Sequence, residues 1–543
     1  MLVALLLAFA LAWIGASGAS PTADEPTYIG QGRYIAGSGD ARAPVLLWQP
    51  PAALLLTSAT LGAADVPTSA FESRPAADSL TDLGDRLLWE SGVEADEVLF
   101  WSRLPVWVVF GLLAAWAAFV AGRLGGRRAA WIAGLLVALS PPLMAHGGLA
   151  TTDAPATLAC LLAVGGSALV FDRDGVPGWR EAGLVGLALG LALATKHTNV
   201  LLVPLLVIAF VVVPWARGRR GWTLLRAPAA LVAAATLVVW ASYGFHTAPL
   251  VGADSTGDLA TKLADRVPLP REWTLTLAQD VPVPAPRYLQ SIVFQASKQH
   301  GRLYFRYFDE LAKVGWWSFF PVVTLGKLTL GAVVALVAAA FARRSSSEGD
   351  ERRAPMRLLL TAFLLLFGAA VLSRHNLGVR HVLPALAPLL VWAAVRLAHI
   401  ERPWLRRVVL GALLLHTAEG LHAARAPISW WNLASGGATN GWRVSGGADA
   451  DWGQGVFELV ERAEDEGWTP LHIEYRGPES SLRLLRAAGV HPTKSLWRTE
   501  LPESGWLAVS NTAYWPERDE RFQGIEPVAW VADCYRIYRL PLR

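Results

Sequence analysis

Three carboxylates stand where an apolar stretch of the sequence meets a polar one. Asp24 and Glu25 are adjacent and follow the apolar run 2–16, and Asp153 directly precedes the apolar run 156–171. An ionised side chain at the edge of a membrane span is costly unless it faces water or a partner, so such residues commonly mark functional sites. Asp24, Glu25 and Asp153 are therefore candidate catalytic residues, because a positioned carboxylate can accept a proton from a reacting group.

Basic residues occupy comparable positions and could bind an anion. Lys196 interrupts the apolar stretch "LALATKHTNVLLVPLL" (191–206), and Arg380 lies in "RHNLGVRHVLPALAPLL" (374–390), just before an apolar run. Arginine offers a bidentate fork that matches phosphate oxygens, and lysine offers a compact positive charge. Together with His300, these residues are predicted to bind a phosphate group.

Each of these positions also has a structural interpretation. Two threonines and an aspartate at 151–153, followed by Pro155, form a good helix N-terminal signal. Lys196 could belong to a plain hairpin turn, and Arg380 could extend towards lipid head groups. The sequence leaves both interpretations open, and a capping role for the aspartate is compatible with a catalytic one.

The elements that must position these residues are apolar helices. The chain has 543 residues, of which 53% are hydrophobic and 17% charged, whereas soluble proteins average about 25% charged residues. Spanning a bilayer takes roughly 20 mostly apolar residues, so the sequence predicts an α-helical polytopic membrane protein with about eleven transmembrane helices. The apolar runs cover residues 2–16, 104–121, 129–145, 156–171, 182–194, 199–214, 228–245, 319–341, 358–373, 382–398 and 408–421.

Arginine-rich loops indicate which side of the membrane faces the cytoplasm, because short positively charged loops stay there. The outer side then receives residues 17–103, residues 246–318 and everything after residue 421. The predicted localisation is the inner (plasma) membrane, with several spans and with the candidate site facing the periplasm or the outside. The arginine-rich loops lie at residues 122–128, 215–226, 343–357 and 401–407.

Residues 1–20 have two interpretations. The run 2–16 is followed by small residues, as in a signal peptide, but no basic residue precedes it. We expect a membrane span, with a cleaved signal peptide as the alternative. Either interpretation leaves Asp24 and Glu25 outside the cytoplasm.

Two further segments lie on the predicted outer side. The stretch 287–322 alternates apolar and aromatic residues with basic ones, which predicts an amphipathic helix on the membrane surface. Residues 422–543 contain strand-like stretches around a helical one and predict a small extracytoplasmic α/β domain. Residues 1–421 then form the transmembrane domain. Near the start of the α/β domain, Asp449 and Asp451 are expected to be exposed, with Asp451 capping a helix.

Cysteine content and charge argue against two further classes of protein. Cys160 lies in an apolar run and Cys534 near the end of the chain, so the sequence contains no disulfide framework. The net charge of +4 arises from the arginine-rich loops, and no nucleic-acid partner is expected.

The order of short motifs along the chain resembles a known family. "DE" at 24–25 is followed by "GDARAPVLLWQPPAALLL", "TTDAP", "GLALGLALATKHTNVLLVP", "GWWSFFPVVTLGK", "LGVRHVLPALAPLL", "WWNLASGGATNGW" and "DADWGQG". This order resembles the polyprenyl-phosphate-sugar-dependent glycosyltransferases of the C-type fold, which include the dolichyl-phosphate-mannose–protein mannosyltransferases and their bacterial relatives. The resemblance covers nearly the whole chain.

The resemblance implies roles for individual residues. Asp24 corresponds to the family's catalytic aspartate, Glu25 to its neighbour and Asp153 to a second acidic position. Arg380 matches a basic position before a "LP" pair.

Two departures from the family pattern bear on recognition of the donor or acceptor. Gln49 stands before two prolines where many relatives have histidine. Leu328 and Thr329 follow Lys327, where many relatives continue with Thr-Pro.

The implied activity is transfer of a sugar, mannose or another hexose, from a polyprenyl-phosphate donor to an acceptor hydroxyl. A leaving phosphate departs as an anion and needs charge stabilisation rather than a strong acid. Asp24 would act as the base towards the hydroxyl, and direct attack would invert the anomeric centre. The alternative is a polytopic transporter or lipid flippase without transferase activity, although such folds predict paired half-sequences, which this sequence lacks.

The expected partners are the lipid-linked donor, the lipid bilayer and an acceptor that is either a protein Ser/Thr or a glycolipid. No cofactor is assigned with certainty. A divalent metal ion is left open, and no residue is assigned as a metal ligand.

Overall fold

A mostly helical part is followed by a mixed β-sheet at the end of the chain. The protein is seen in a computed structural model that describes residues 1–40, 43–64, 66, 80–173, 175–251, 270–297, 305–308, 310–342, 353–475, 481–493, 501, 503–514 and 520–541.

Each apolar run predicted from the sequence is helical over most or all of its length. The helices are α1 (Leu2–Ala16), α2 (Glu25–Ser38), α3 (Pro51–Ser58), α4 (Leu80–Trp89), α5 (Ala95–Ala138), α6 (Pro141–Gly147), α7 (Asp153–Phe171), α8 (Trp179–Thr195), α9 (Leu202–Ala216), α10 (Arg226–Ser242), α11 (Arg271–Asp280), α12 (Pro286–Ser297), α13 (Phe319–Lys327), α14 (Leu330–Phe341), α15 (Arg353–Ser373), α16 (Leu383–Ala398), α17 (Pro403–Ala423), α18 (Gly437–Asn440), α19 (Val456–Asp465) and α20 (Ser481–Ala487).

Several of these helices can cross a membrane, so a multi-span membrane protein is confirmed. Among the described residues, six helices are long and apolar enough, and the bent pair α13–α14 is a seventh candidate. One of the six, α5, contains two predicted runs that are separated at Gly126, where φ is +79°. Glycine adopts this conformation at little cost, so it permits the break. The number of about eleven spans remains a prediction.

The run 319–341 was predicted as one span, and the structure shows it as a bent pair of helices rather than one continuous helix. The chain breaks at Leu328 and Thr329, and α13 and α14 meet at 116°. Thr329 caps α14 by accepting a hydrogen bond from its backbone. Lys327 is buried at the break, and its Nζ donates to three backbone carbonyls. A buried ammonium needs such partners, and a continuous apolar span would not supply them.

Small residues allow close helix packing in the membrane part. Helices α8 and α10 pack along a face that contains Gly186 and Gly190. A Cβ atom at Gly190 would lie 2.6 Å from Cβ of Val238 and 2.7 Å from the carbonyl oxygen of Ala235. The G-x-x-x-G spacing therefore lets two backbones approach as closely as they do here.

The predicted amphipathic helix over 287–322 is only partly present. Helix α12 ends at Ser297, and an antiparallel hairpin follows, formed by β3 (Phe305–Tyr307) and β4 (Glu310–Ala312). Phe305 and Tyr307 are buried, and Tyr307 packs with Phe319. The aromatic side chains are thus satisfied by tertiary packing, which overrides the helical pattern. A second hairpin joins β1 (Thr247–Pro249) and β2 (Pro282–Pro284).

The chain ends in a five-stranded sheet with the order β6-β5-β7-β9-β8. Its strands are β5 (Leu471–Glu474), β6 (Val490–Thr493), β7 (Gly505–Ser510), β8 (Ala529–Val531) and β9 (Tyr535–Leu540). Strand β5 runs parallel to β6 and β7, whereas β9 is antiparallel to β7 and β8. The strands and the helix expected in this part of the sequence are present, while its role as a separate extracytoplasmic domain stays a prediction.

The segment that leads into this sheet differs from the sequence-based expectation. Asp449 and Asp451 were predicted to be exposed, but both are buried. Asp451 does not cap α19, whose N-cap is Gly455; its Oδ1 accepts a hydrogen bond from the backbone of Gly453. Burial raises the pKa of Asp451 to about 6. Tertiary contacts described below explain the burial.

Candidate active site

Asp24 and Arg380, which are far apart in the sequence, form an ion pair. Asp24 is the N-cap of α2, and Arg380 lies in the 3₁₀ turn Val379–Val382 that leads into α16. Arg380 Nη1 donates to Asp24 Oδ2 at 2.5 Å. The Asp24 side chain is 32% exposed, against 14% for Arg380, so the carboxylate keeps access to solvent.

Tyr28, one turn further along α2, completes the surroundings of Asp24. Its hydroxyl donates to Asp24 Oδ2 at 3.3 Å. Burial and the neighbouring charge of Asp24 raise the pKa of Tyr28 well above its usual value. Tyr28 therefore stays protonated at neutral pH and acts as a donor to the carboxylate.

Asp153 and Lys196 form a second ion pair. Asp153 is the first residue of α7, and Lys196 follows the last residue of α8. Lys196 Nζ donates to Asp153 Oδ1 at 2.5 Å, and both residues are buried. The helix N-cap is Thr152 and makes no side-chain capping hydrogen bond. The geometry therefore supports a charge-pairing role for Asp153 rather than capping alone.

The two ion pairs form one electrostatic cluster. Arg380 interacts with the charges of both Asp24 and Asp153, and Tyr28 interacts with the same three residues. His146 at the end of α6 joins the cluster, with Nδ1 3.7 Å from Asp153 Oδ2. Two carboxylates thus face two cations, with the imidazole of His146 beside them.

Several nitrogen atoms of this cluster lack hydrogen-bond partners within the described part of the chain. These atoms are Arg380 Nε, His381 Nε2 and His146 Nδ1, and all three are buried. A buried polar atom without a partner costs free energy. An anion bound here would satisfy Arg380 Nε, and phosphate oxygens accept hydrogen bonds from arginine especially well.

Sequence reasoning identified part of this cluster and missed the rest. Asp24, Asp153, Lys196 and Arg380 were predicted, and the structure brings all four together. His146 was missed, although its place in "AHGGLATTD" near an ionisable residue was a usable signal. His300, predicted to bind phosphate, lies outside the described residues.

Glu25 lies apart from Asp24, although the two residues are neighbours in sequence. Its buried carboxylate accepts from Arg103 Nε and Nη2, both at 2.8 Å. The backbone N–H groups of Thr22 and Ala150 also donate to it. Burial alone would raise the pKa of Glu25, but the charge and hydrogen bonds of Arg103 outweigh burial and lower it. Glu25 is therefore an ionised residue whose bonds are all internal.

Arg103, which the sequence analysis did not single out, completes this arrangement. Besides Glu25, it donates to the carbonyl oxygens of Ala16, Ala19 and Ser20. All five N–H donors of the guanidinium are thereby used. Arg103 thus ties residues 16–20 and Glu25 to α5, so it holds the chain on both sides of Asp24 in place.

Removal of Arg103 should destabilise the protein strongly. Arg103→Met leaves the Glu25 carboxylate buried and unpaired, which typically costs about 3–5 kcal/mol. Thermal unfolding in detergent should show a clear fall in midpoint, and adding Glu25→Gln should restore part of it. Arg483→Met breaks an exposed ion pair with Glu90 and serves as the control, with little effect expected. Equal midpoints for Arg103→Met and Arg483→Met would contradict the structural role of the buried pair.

The described ranges of the chain contain no set of side chains arranged to bind a metal ion. No group of three or more His, Cys, Asp or Glu side chains there is placed to hold one. The divalent metal that the sequence left open therefore has no residues assigned to it.

One protein-family model matches part of the chain. Residues 95–241, from α5 to near the end of α10, match the model of the dolichyl-phosphate-mannose-protein mannosyltransferase family. The resemblance predicted from the sequence is confirmed. The matched region contains Asp153 and Lys196, whereas Asp24 and Arg380 lie outside it. No curated protein matches the chain significantly.

Three solved structures illustrate which known proteins this chain is similar to. The crystal structure of ArnT from Cupriavidus metallidurans is 15% identical, with 98% of this chain and 96% of that chain covered and a TM-score of 0.48. The Archaeoglobus fulgidus oligosaccharyltransferase is 13% identical, with 90% and 63% covered and a TM-score of 0.44. Arabinofuranosyltransferase AftD from Mycobacteria is 14% identical, with 94% and 35% covered and a TM-score of 0.40. With TM-scores below 0.5, these likenesses carry no weight in the function proposed below.

Proposed function

We propose that this protein is a membrane glycosyltransferase that moves a sugar from a polyprenyl-phosphate donor to an acceptor hydroxyl. The observation that carries the proposal is the pairing of Asp24 with Arg380 inside a cluster that also has unpartnered donors for an anion. The family match over residues 95–241 supports the donor class, because that family is described by a lipid-phosphate-linked sugar.

The donor phosphate would bind among the cationic groups. Arg380 uses only Nη1 towards Asp24, so other donors of the same guanidinium can face a phosphate without breaking the ion pair. Lys196 adds a positive charge and is oriented by Asp153. The phosphate gains negative charge as the bond to the sugar breaks, and preorganised cations stabilise that charge in the transition state.

The acceptor hydroxyl would be activated by Asp24. The hydroxyl oxygen attacks the anomeric carbon, the bond from that carbon to the phosphate oxygen breaks, and the bonding electron pair leaves with the phosphate. The hydroxyl proton passes to Asp24, which is the solvent-accessible carboxylate of the cluster. A single displacement of this kind inverts the anomeric centre, and it requires no second nucleophile.

The finer identity of the substrates forms part of the same proposal. The sugar is mannose or another hexose, and the acceptor is a protein Ser/Thr or a glycolipid. The site faces the periplasm or the outside of an inner (plasma) membrane, as the arginine-rich loops predict. A prenyl tail would then stay in the bilayer while its phosphate reaches the cluster at the ends of α7, α8 and α16.

A transfer assay with purified protein tests this function. The full chain in lipid nanodiscs is given a panel of synthetic polyprenyl-phosphate hexoses together with membrane extracts as acceptors. We expect release of polyprenyl phosphate and a matching gain of one hexose on an acceptor, detected by mass spectrometry. The sugar that reacts fastest identifies the donor.

Two outcomes of the assay would contradict the proposal. If the donors bind but the bond between sugar and phosphate is not cleaved with any acceptor, the result would favour a transporter or flippase. Cleavage that Asp24→Asn does not slow would place the chemistry elsewhere. The exposed Asp96→Asn serves as a matched control that removes a carboxylate outside the cluster.

A further inference from the structure

A short segment that precedes the C-terminal sheet contacts the chain before Asp24, the turn that carries Arg380, and His146. We name residues 445–456 the clasp. They follow a 3₁₀ turn at Gly441–Arg443 and run into α19. Most of the clasp is buried, including Asp449, Asp451 and Trp452. The sequence analysis expected a helix cap at Asp451 and assigned no catalytic role to this segment.

The clasp binds the residues directly before Asp24. The backbone N–H of Ala23 donates to the carbonyl oxygen of Trp452 at 3.0 Å. Ser20 makes three bonds to the clasp: its N–H donates to Gln454, its hydroxyl donates to the carbonyl oxygen of Gly453, and the hydroxyl accepts from the backbone of the first residue of α19. The clasp therefore fixes the path of residues 20–23, which lead to Asp24.

The clasp also binds the residue directly before Arg380. Asp449 Oδ1 accepts from the backbone N–H of Val379 at 2.8 Å, and Oδ2 accepts from Ser445. Gly378 has a φ of +104°, and a Cβ atom there would lie 3.1 Å from Asp449 Oδ1. Asp449 thus packs against a turn whose backbone shape suits glycine.

Trp452 holds the charged side chains themselves. The guanidinium carbon of Arg380 lies 4.5 Å from the centroid of a Trp452 ring, which is the geometry of a cation–π contact. The same indole packs against the imidazole of His146 in a T-shaped arrangement, with ring centroids 5.9 Å apart. Lys327 fixes the clasp from the other side by donating to the carbonyl oxygen of Asp449 at 2.7 Å.

We propose that Trp452 and Asp449 are positioning residues that set the geometry between Asp24 and Arg380. This inference rests on the proposed function, in which Arg380 receives the donor phosphate. Trp452 is only 6% exposed and its ring contacts the guanidinium of Arg380, so we infer that it acts through the arginine. Arginine has a long flexible side chain, and the aromatic face removes much of that freedom before the donor binds.

The effect of losing this support should be large. A misplacement of reacting groups by about 1 Å can cost roughly 100-fold in rate. Trp452→Ala is expected to lower kcat/KM for the lipid donor by roughly 10- to 100-fold. Trp452→Phe should recover most of the loss, because phenylalanine keeps an aromatic face for the guanidinium.

A double-mutant cycle with Arg380→Ala tests whether Trp452 acts through Arg380. Trp452→Ala should be costly in the native protein and should change kcat/KM by less than about threefold when Arg380 is already alanine. If Trp452→Ala does not fold, Trp452→Leu fills the apolar volume without an aromatic face and takes its place in the cycle. Trp468→Ala is the matched control, because it removes a buried tryptophan stacked on Arg462 instead.

The outcomes separate the two proposals. Equal costs of the Trp452 substitution in both backgrounds would overturn the positioning role while leaving the proposed function intact. An Arg380→Ala protein as active as the native one would overturn the donor clamp and this inference with it. A loss of activity in Trp468→Ala as large as in Trp452→Ala would show that only general stability is at stake, and would also overturn the positioning role.

Discussion

Replacing Asp24 with asparagine is expected to lower turnover by about 100-fold or more, the usual scale for a lost general base. Asparagine keeps the shape of the side chain and its hydrogen bond with Arg380, but its amide cannot accept the acceptor's proton. Donor binding should persist or tighten, because the Arg380 guanidinium is no longer neutralised by a carboxylate at 2.5 Å. The effect should therefore appear in kcat rather than in the affinity for the donor.

Single-turnover kinetics with a synthetic polyprenyl-phosphate sugar would measure this effect. The donor dissociation constant is measured separately on the same preparation. Asp96→Asn, an exposed change on the same predicted outer segment, should leave both quantities near the native values. A native-like rate for Asp24→Asn would mean that another group takes the proton.

Arg380→Ala is expected to weaken donor binding and to slow transfer. Removal of one preorganised donor to a developing oxyanion typically costs about 100- to 1,000-fold in rate. Both quantities should change, because the phosphate is charged in the ground state and gains further charge as it leaves. Asp24 also loses its ion-pair partner in this variant.

Arg380→Lys distinguishes a phosphate clamp from a residue that only extends towards lipid head groups. Lysine keeps the charge but not the fork, so we expect it to recover part of the activity. If Arg380 only contacts head groups, lysine should serve as well as arginine, and alanine should cost little. Arg374→Ala, an exposed arginine on the same predicted side, is the control. Equal activity of all three Arg380 forms would shift the clamp to Lys196.

The helical membrane part could be predicted from the sequence because the signal for it is local. A run of apolar residues of sufficient length has few alternatives to a helix in a bilayer, since every backbone polar group must be satisfied within the segment. The strands at 471–474 and 535–540 were likewise visible in their composition. The sequence did not predict features that depend on long-range contacts, such as the bend in the run 319–341 at Lys327, whose Nζ donates to three backbone carbonyls.

The sequence by itself determined which residue types are available for chemistry at the predicted outer ends of the spans. It could not determine how they pair. Asp24 and Glu25 are neighbours, yet Asp24 binds Arg380 while Glu25 binds Arg103. Adjacent residues at a helix start point in different directions, so only tertiary packing decides which of them meets a distant partner.

The burial of Asp449 and Trp452 was likewise decided by the tertiary structure. Their stretch of sequence reads as a polar turn before a helix, which normally faces solvent. It is buried here because it lies against residues 20–23 and 378–380, two segments distant from it in the chain. Contacts at such separations depend on how the helices assemble and leave no periodic trace in the sequence, so the arrangement around Arg380 emerges only in the folded protein.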